Sequence, residues 1–264
     1  MLHNYLLKTK RLFFLGCIYS LLFSACRPSV DLPQVMELTI LDKRNIAERI
    51  FEMIDSDESY QILNQTEYAD AYAYLDNSID FLTDSELLLH RTDYNWKVYI
   101  LDEEGTNAFA TPGGYIYFDK GLLNKIESES AFMHLLAHEI SYVDKGLISQ
   151  KLQDNYGLQI LLDLALGSTV ETAEELLGTL YNEAFDTSTV EQADDFMLAL
   201  ACEKGYDADS LKWFLQYNST ITWLDVHATE NLEQRLLFIR DYECATLDSM
   251  NVSTNAYSDF LDDL

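Results

Sequence analysis

One stretch constrains the fold more than any other: Asn107 to Asp144, NAFATPGGYIYFDKGLLNKIESESAFMHLLAHEISYVD. Residues 107–118 alternate small and aromatic side chains around Pro112-Gly113-Gly114. That is the chemistry of a tight turn between two paired strands, with Tyr115 to Phe118 as the return strand. Just upstream, Trp96 to Leu101 (WKVYIL) has the aromatic and β-branched content of another strand. Residues Ser130 to Asp144 then read as a helix that Gly146 can end. The helix carries His134, His138, Glu139 and Tyr142. The rest of the chain is mostly helical. Segments of helical period run over Lys43–Ile54, within 67–90, through Leu147–Leu166, Val170–Tyr181 and Thr189–Lys204, and over 208–217 and 229–246. The expected class is α+β, mainly helical, with a small hairpin or sheet beside the His138 helix.

The ends of the chain have a different character. Lys8, Lys10 and Arg11 precede an apolar run from Leu12 to Phe23, too short to span a bilayer comfortably. Phe23-Ser24-Ala25-Cys26 follows and is similar to a bacterial lipobox. Residues 1–25 are therefore expected to be a lipoprotein signal peptide, with Cys26 as the lipid anchor. Residues 26–43, with Pro28 and Pro33, read as a tether, 44–246 as the folded domain and 247–264 as a loose acidic tail. Arg27 after Cys26 favours the outer membrane, which implies a cell-envelope protein anchored at the periplasmic face.

A formal charge of −28 repels nucleic acid and anionic lipid heads, so a DNA or RNA role is not expected. Hydrophobic residues make up 48% of the chain, enough for a substantial core. In an exported protein Cys202 and Cys244 could form a disulfide; two buried free thiols are the alternative.

The run AHEISY places His138 and Glu139 on a helix. Two histidines four residues apart share a helix face and can grip one zinc ion, while a glutamate next to the first acts as base. Here the fifth place holds Tyr142.

Several pieces together resemble the zinc endopeptidases of the HtpX, Oma and CAAX-prenyl-protease group, especially their periplasmic lipoprotein members. They are Asn107-Ala108-Phe109-Ala110 with Pro112-Gly113-Gly114-Tyr115-Ile116, Gly121-Leu122-Leu123, Leu136-Ala137-His138-Glu139-Ile140, Ala193-Asp194 and Gly205-Tyr206-Asp207. The resemblance spans about residues 45–240 and implies a zincin-like domain. It implies that residues 107–110 form a substrate edge along a cleft, to which an extended peptide adds as a strand. It further implies zinc held by both histidines of the helix motif and by a glutamate three residues before Ala-Asp, with the motif's glutamate as base. In this chain His138 and Glu139 remain, but Tyr142 and Val190 stand at the other two ligand positions. Valine cannot ligate, and a neutral phenol is a poor ligand near pH 7.

Glu191, next to Val190, and His227, in a segment similar to the family's later His-Pro piece, are the substitute ligands to weigh. His134, one turn before His138, is read as a core histidine. The preferred expectation is a degenerate site in which zinc is absent or weakly held and the Tyr142 hydroxyl donates to Glu139. The function is then binding, with extended or unfolded envelope polypeptide, or a related active protease, as partner. Two alternatives stand beside it: an active zinc endopeptidase with a rebuilt site, and a structural lipoprotein whose cleft is irrelevant.

Overall fold

The computed structural model describes residues 37–57, 60–167, 170–227, 232–242 and 254–264. All lie in one unit, Glu37–Leu264. The signal-peptide, lipobox and most of the tether expectations, with Cys26 and Cys244, fall outside them.

Helix α1 (Ile40–Ser56) begins at Thr39, whose hydroxyl accepts from Asp42 N while the Asp42 carboxylate accepts from Thr39 N. This reciprocal capping box satisfies two N–H groups that a helix start leaves open. Helix α2 (Ala69–Thr83) leads to a three-stranded sheet of β1 (Lys97–Leu101), β2 (Ala108–Ala110) and β3 (Tyr115–Asp119), in the order β1-β3-β2. β2 and β3 pair antiparallel as the hairpin expected around Pro112, with Phe109 opposite Tyr117. β1 runs parallel to β3, with Tyr99 opposite Tyr117. Stacked Tyr99, Tyr117 and Phe109 rings cross the sheet on one face, with centroids 5.3 and 4.9 Å apart. The hairpin turn needs glycine: Gly113 has φ +95°, and a Cβ there would meet Lys43 O at 2.6 Å.

A short helix α3 (Lys120–Leu123) leads into α4 (Glu129–Asp144), which carries His138. Residues Ser130 to Asp144 are all buried, so α4 is the central rod of the fold. Gly146 then takes φ +71°. The apolar stretch 147–166 divides at Gly157 (φ +80°) into α5 (Leu147–Tyr156) and α6 (Leu158–Ala165). Helices α7 (Val170–Asn182) and α8 (Thr187–Glu203) follow, the latter capped by Asp186, which accepts from Thr189 N. Then come α9 (Ala208–Tyr217), α10 (Thr222–His227), α11 (Leu232–Asp241) and α12 (Thr254–Asp263). Helix α8 packs along α4, with Val190, Ala193 and Met197 buried to 0% exposure; the small Ala193 lets the helices approach closely. The class is mainly helical with a small sheet, as the sequence implies.

The expectation of a loose tail from 247 onward is corrected for its last part. Helix α12 packs on α2, burying Tyr257 and Phe260 against Tyr74 and Phe132. Tyr257 Oη donates to Ile126 O at 2.7 Å, and Asp263 Oδ2 accepts from Ala71 N at 3.0 Å, supplying a carboxylate at the start of α2. Net acidity suggested a solvated tail, but aromatic residues three apart form one apolar helix face.

Candidate functional site

The site grows from the C-terminal half of α4. His138 and Glu139 sit on consecutive positions, 0% and 1% exposed. A buried carboxylate needs donors. Glu139 Oε1 accepts from the Trp223 indole on α10 at 2.9 Å, and His138 Nδ1 lies 3.7 Å from the same oxygen. The sequence pointed to the Tyr142 hydroxyl as the donor; the recorded donor is Trp223, which carried no motif to reveal it. Tyr142 instead places its ring edge-on to His138, centroids 4.9 Å apart, and 4.3 Å from the Phe185 ring. Burial, with the Glu139 carboxylate next, pushes the Tyr142 hydroxyl well above the ordinary phenol range, so it stays neutral.

Around His138 Nε2 the decisive neighbours come from two other helices. Asp194, on α8, has Oδ1 3.1 Å from Nε2. Arg235, on α11, donates Nη2 to Asp194 Oδ1 and Nε to Asp194 Oδ2, both at 2.7 Å. The same Nη2 lies 3.3 Å from His138 Nε2. One ring nitrogen cannot both donate to Asp194 and accept from Arg235, so these contacts are tautomeric alternatives. Burial alone would raise the Asp194 carboxyl, but the Arg235 charge and His138 outweigh it and hold the group below the usual range. The Arg235 guanidinium also lies over Trp223, 5.1 Å from the ring centre, and the Trp223 and His138 rings are 5.0 Å apart. Helices α4, α8, α10 and α11 thus meet through a buried guanidinium.

Zinc would need three converging donors and a water. His138 is the sole imidazole in this cluster among the described residues, and its Nε2 faces a cation. Val190 is buried and apolar. Glu191, one of the two substitutes weighed, is exposed at the surface while His138 is fully buried, which corrects that assignment: the turn of 100° per residue carries Glu191 off the packed face. The His227 side chain lies outside what is described. Among the described residues no three His, Cys, Asp or Glu side chains are grouped to hold a metal. In this geometry a dication beside His138 would face the guanidinium across roughly 4 Å, a repulsion of about 8 kcal/mol at an effective dielectric constant of about 20. The described residues therefore do not fit zinc.

His134 is a core histidine. Its Nδ1 donates to Ser130 O at 2.6 Å, and burial lowers its pKa to about 4, leaving it neutral.

The Asn107–Ala110 strand is at the sheet edge, as expected, but it is covered: these four residues are at most 2% exposed. Helix α7 packs against β2. Asn107 Nδ2 donates to Tyr181 O at 2.7 Å, Phe109 meets the Tyr181 ring edge-on, and Tyr181 Oη donates to Asp119 Oδ2 at 2.7 Å. Asp119 also accepts from Asn107 N, and burial raises its pKa to about 6 against these hydrogen bonds.

Comparison with known proteins covers the part of the chain that holds the sheet, α4 and α8. The family model for peptidase family M48 matches residues 69–228, more than half of the chain. The chain belongs to peptidase family M48. The M48 region is similar to the beta-barrel assembly-enhancing protease of Yersinia pestis, 27% identical over 139 residues, or 48% of this chain and 28% of that protein. It is similar to the mitochondrial metalloendopeptidase OMA1 of Arabidopsis thaliana, 26% identical over 122 residues (45% and 24%), and to OMA1 of Bos taurus, 26% over 139 residues (46% and 26%). The chain thus spans about a quarter of the length of these relatives. M48 members are zinc-dependent metallopeptidases.

Cys202, at the end of α8, is disulfide-bonded; its partner lies outside the described residues. No helix among the described residues is long and apolar enough to cross a membrane.

Proposed function

We propose that this M48 chain binds extended polypeptide without hydrolysing it. One observation carries the proposal: the Arg235 guanidinium, paired through both arms with Asp194, reaches within 3.3 Å of His138 Nε2, where a catalytic cation would be held. With Tyr142 and Val190 at the other ligand positions, Glu139 has no metal-bound water to deprotonate and serves as the acceptor that fixes Trp223. The polypeptide is an envelope protein in an extended or unfolded state, or a related active protease. Support for this comes from the edge strand 107–110 and from relatives whose names specify endopeptidases and β-barrel assembly. The strand takes a partner only when α7 moves and the Asn107–Tyr181 and Tyr181–Asp119 bonds part. Cys26 carries the lipid, which places the chain on the periplasmic face of an envelope membrane, the outer one by preference, and Cys244 is the disulfide partner of Cys202.

Metal analysis and a peptidase assay on the chain purified without chelator test the proposal together. The expected result is substoichiometric zinc and no cleavage of unfolded casein. One equivalent of zinc, with cleavage abolished both by chelator and by Glu139→Gln, would establish a rebuilt zinc endopeptidase instead.

A further inference from the structure

A second cavity lies away from the buried cluster, between α9 and the segment that leads into α4. It is a groove open to solvent with a volume of about 680 Å³, in the range of small-ligand sites. Ala131 lines it, seven residues before His138 on α4, which puts roughly 10 Å of helix rise between the two sites.

One wall of the cavity is aromatic. Trp213 and Tyr217 stand four apart on α9 and so share a face. Their rings are parallel to within 3°, with centroids 5.1 Å apart, an offset stack. Both are open to solvent, Trp213 at 55% and Tyr217 at 71% exposure. Two exposed aromatic rings side by side on a groove wall offer a continuous flat apolar surface to a ligand. The other wall is polar, lined by Asn124, Lys125 and Glu127, and Ser210 adds a hydroxyl on α9 one turn before Trp213. None of these four side chains is spent on a hydrogen bond or ion pair with another described residue.

We propose that this cavity is a saccharide-binding site. A pyranose has one face of C–H bonds and a rim of hydroxyl groups. The C–H face lies flat on an aromatic ring, and the hydroxyls take up amide, ammonium, carboxylate and hydroxyl groups opposite. Rings in contact with each other leave no slot between them for a proline ridge, which disfavours a polyproline segment. Lys125 and Glu127 balance locally, which suits an uncharged ligand, and the −28 of the chain as a whole disfavours a polyanion or nucleic acid.

The test is titration of the full-length chain with tetra-N-acetylchitotetraose and with maltotetraose. Isothermal calorimetry gives affinity, and tryptophan fluorescence, read against the Trp213→Ala variant, isolates Trp213 from the half-buried Trp96 and the buried Trp223. The expected result is saturable binding of at least one oligosaccharide in the millimolar range or tighter, weakened at least tenfold by Trp213→Ala and partly restored by Trp213→Phe. Unchanged thermal unfolding of the variants, expected for an exposed residue, ties the loss to the site. Absence of saturable binding to both oligosaccharides, binding that is indifferent to Trp213→Ala, or tighter binding of a decaproline peptide would each overturn the proposal.

Discussion

Replacing Arg235 with methionine tests the buried cation directly. Methionine keeps much of the side chain's length and apolar contact with Trp223 but removes the charge and both hydrogen bonds to Asp194. Asp194 is 1% exposed, so the variant leaves a buried carboxylate with the His138 imidazole beside it and no guanidinium. Removing one partner of such a pair costs about 3–5 kcal/mol, because the remaining charge has lost its compensation. For a domain of this size, about 2–4 °C of Tm accompanies each kcal/mol, so Tm should fall by roughly 6–20 °C.

The variant should also acquire a pH dependence of definite sign. In the natural chain the Asp194 pKa is depressed, so its contribution to stability is present above the unfolded value near 3.9 and is lost as the pH falls through the folded value. Without Arg235 the first cause of its shift, burial, is far less opposed, and the folded pKa rises above the unfolded one. Stability is then lost as pH rises through that raised value, so Arg235→Met should be more damaging at pH 8 than at pH 5. Urea unfolding at the two pH values, compared with the natural chain and with Arg235→Met/Asp194→Leu, measures it. The double variant should recover most of the loss, since a buried pair replaced by apolar groups of similar size is often near neutral. A loss below about 1 kcal/mol, or equal losses at both pH values, would refute a cation integral to the cluster.

Asp119 offers a second pH effect of known direction. Its folded pKa of about 6 lies above its unfolded value, so its carboxylate costs stability as pH rises from 4 to 8. Urea unfolding of Asp119→Asn should therefore gain on the natural chain across that range, by roughly 2–3 kcal/mol from end to end; a constant difference would contradict the assigned shift. Gly113→Ala forces a left-handed conformation on alanine and drives its Cβ against Lys43 O, so it should cost at least about 1–3 kcal/mol by the same assay. A neutral effect would mean that the hairpin turn is not held as described.

The parts of this fold legible in the sequence are those fixed by local chemistry. The Pro112-Gly113-Gly114 turn bends the chain back and residues 130–144 read as a helix ended by Gly146, so hairpin and helix followed from neighbours in sequence, while the complete burial of that helix is seen only in the fold. Gly157 breaking 147–166 into two helices, and Tyr257 with Phe260 anchoring the end of the chain, were equally local signals, masked by apolar run and by acidity. The site is different because its content is non-local. The Tyr142 and Val190 positions reveal what the cluster lacks, but nothing near position 139 in sequence announces that Trp223, 84 residues on, donates to Glu139. Arg235 reaches His138 across 97 residues, and only because Asp194 bridges α8 to α11. A motif lists the ligands a metal would take; it cannot say which cation the folded chain brings to them. In this M48 chain α11 packs on α9, and from there Arg235 brings a guanidinium to Asp194 and to within 3.3 Å of His138 Nε2.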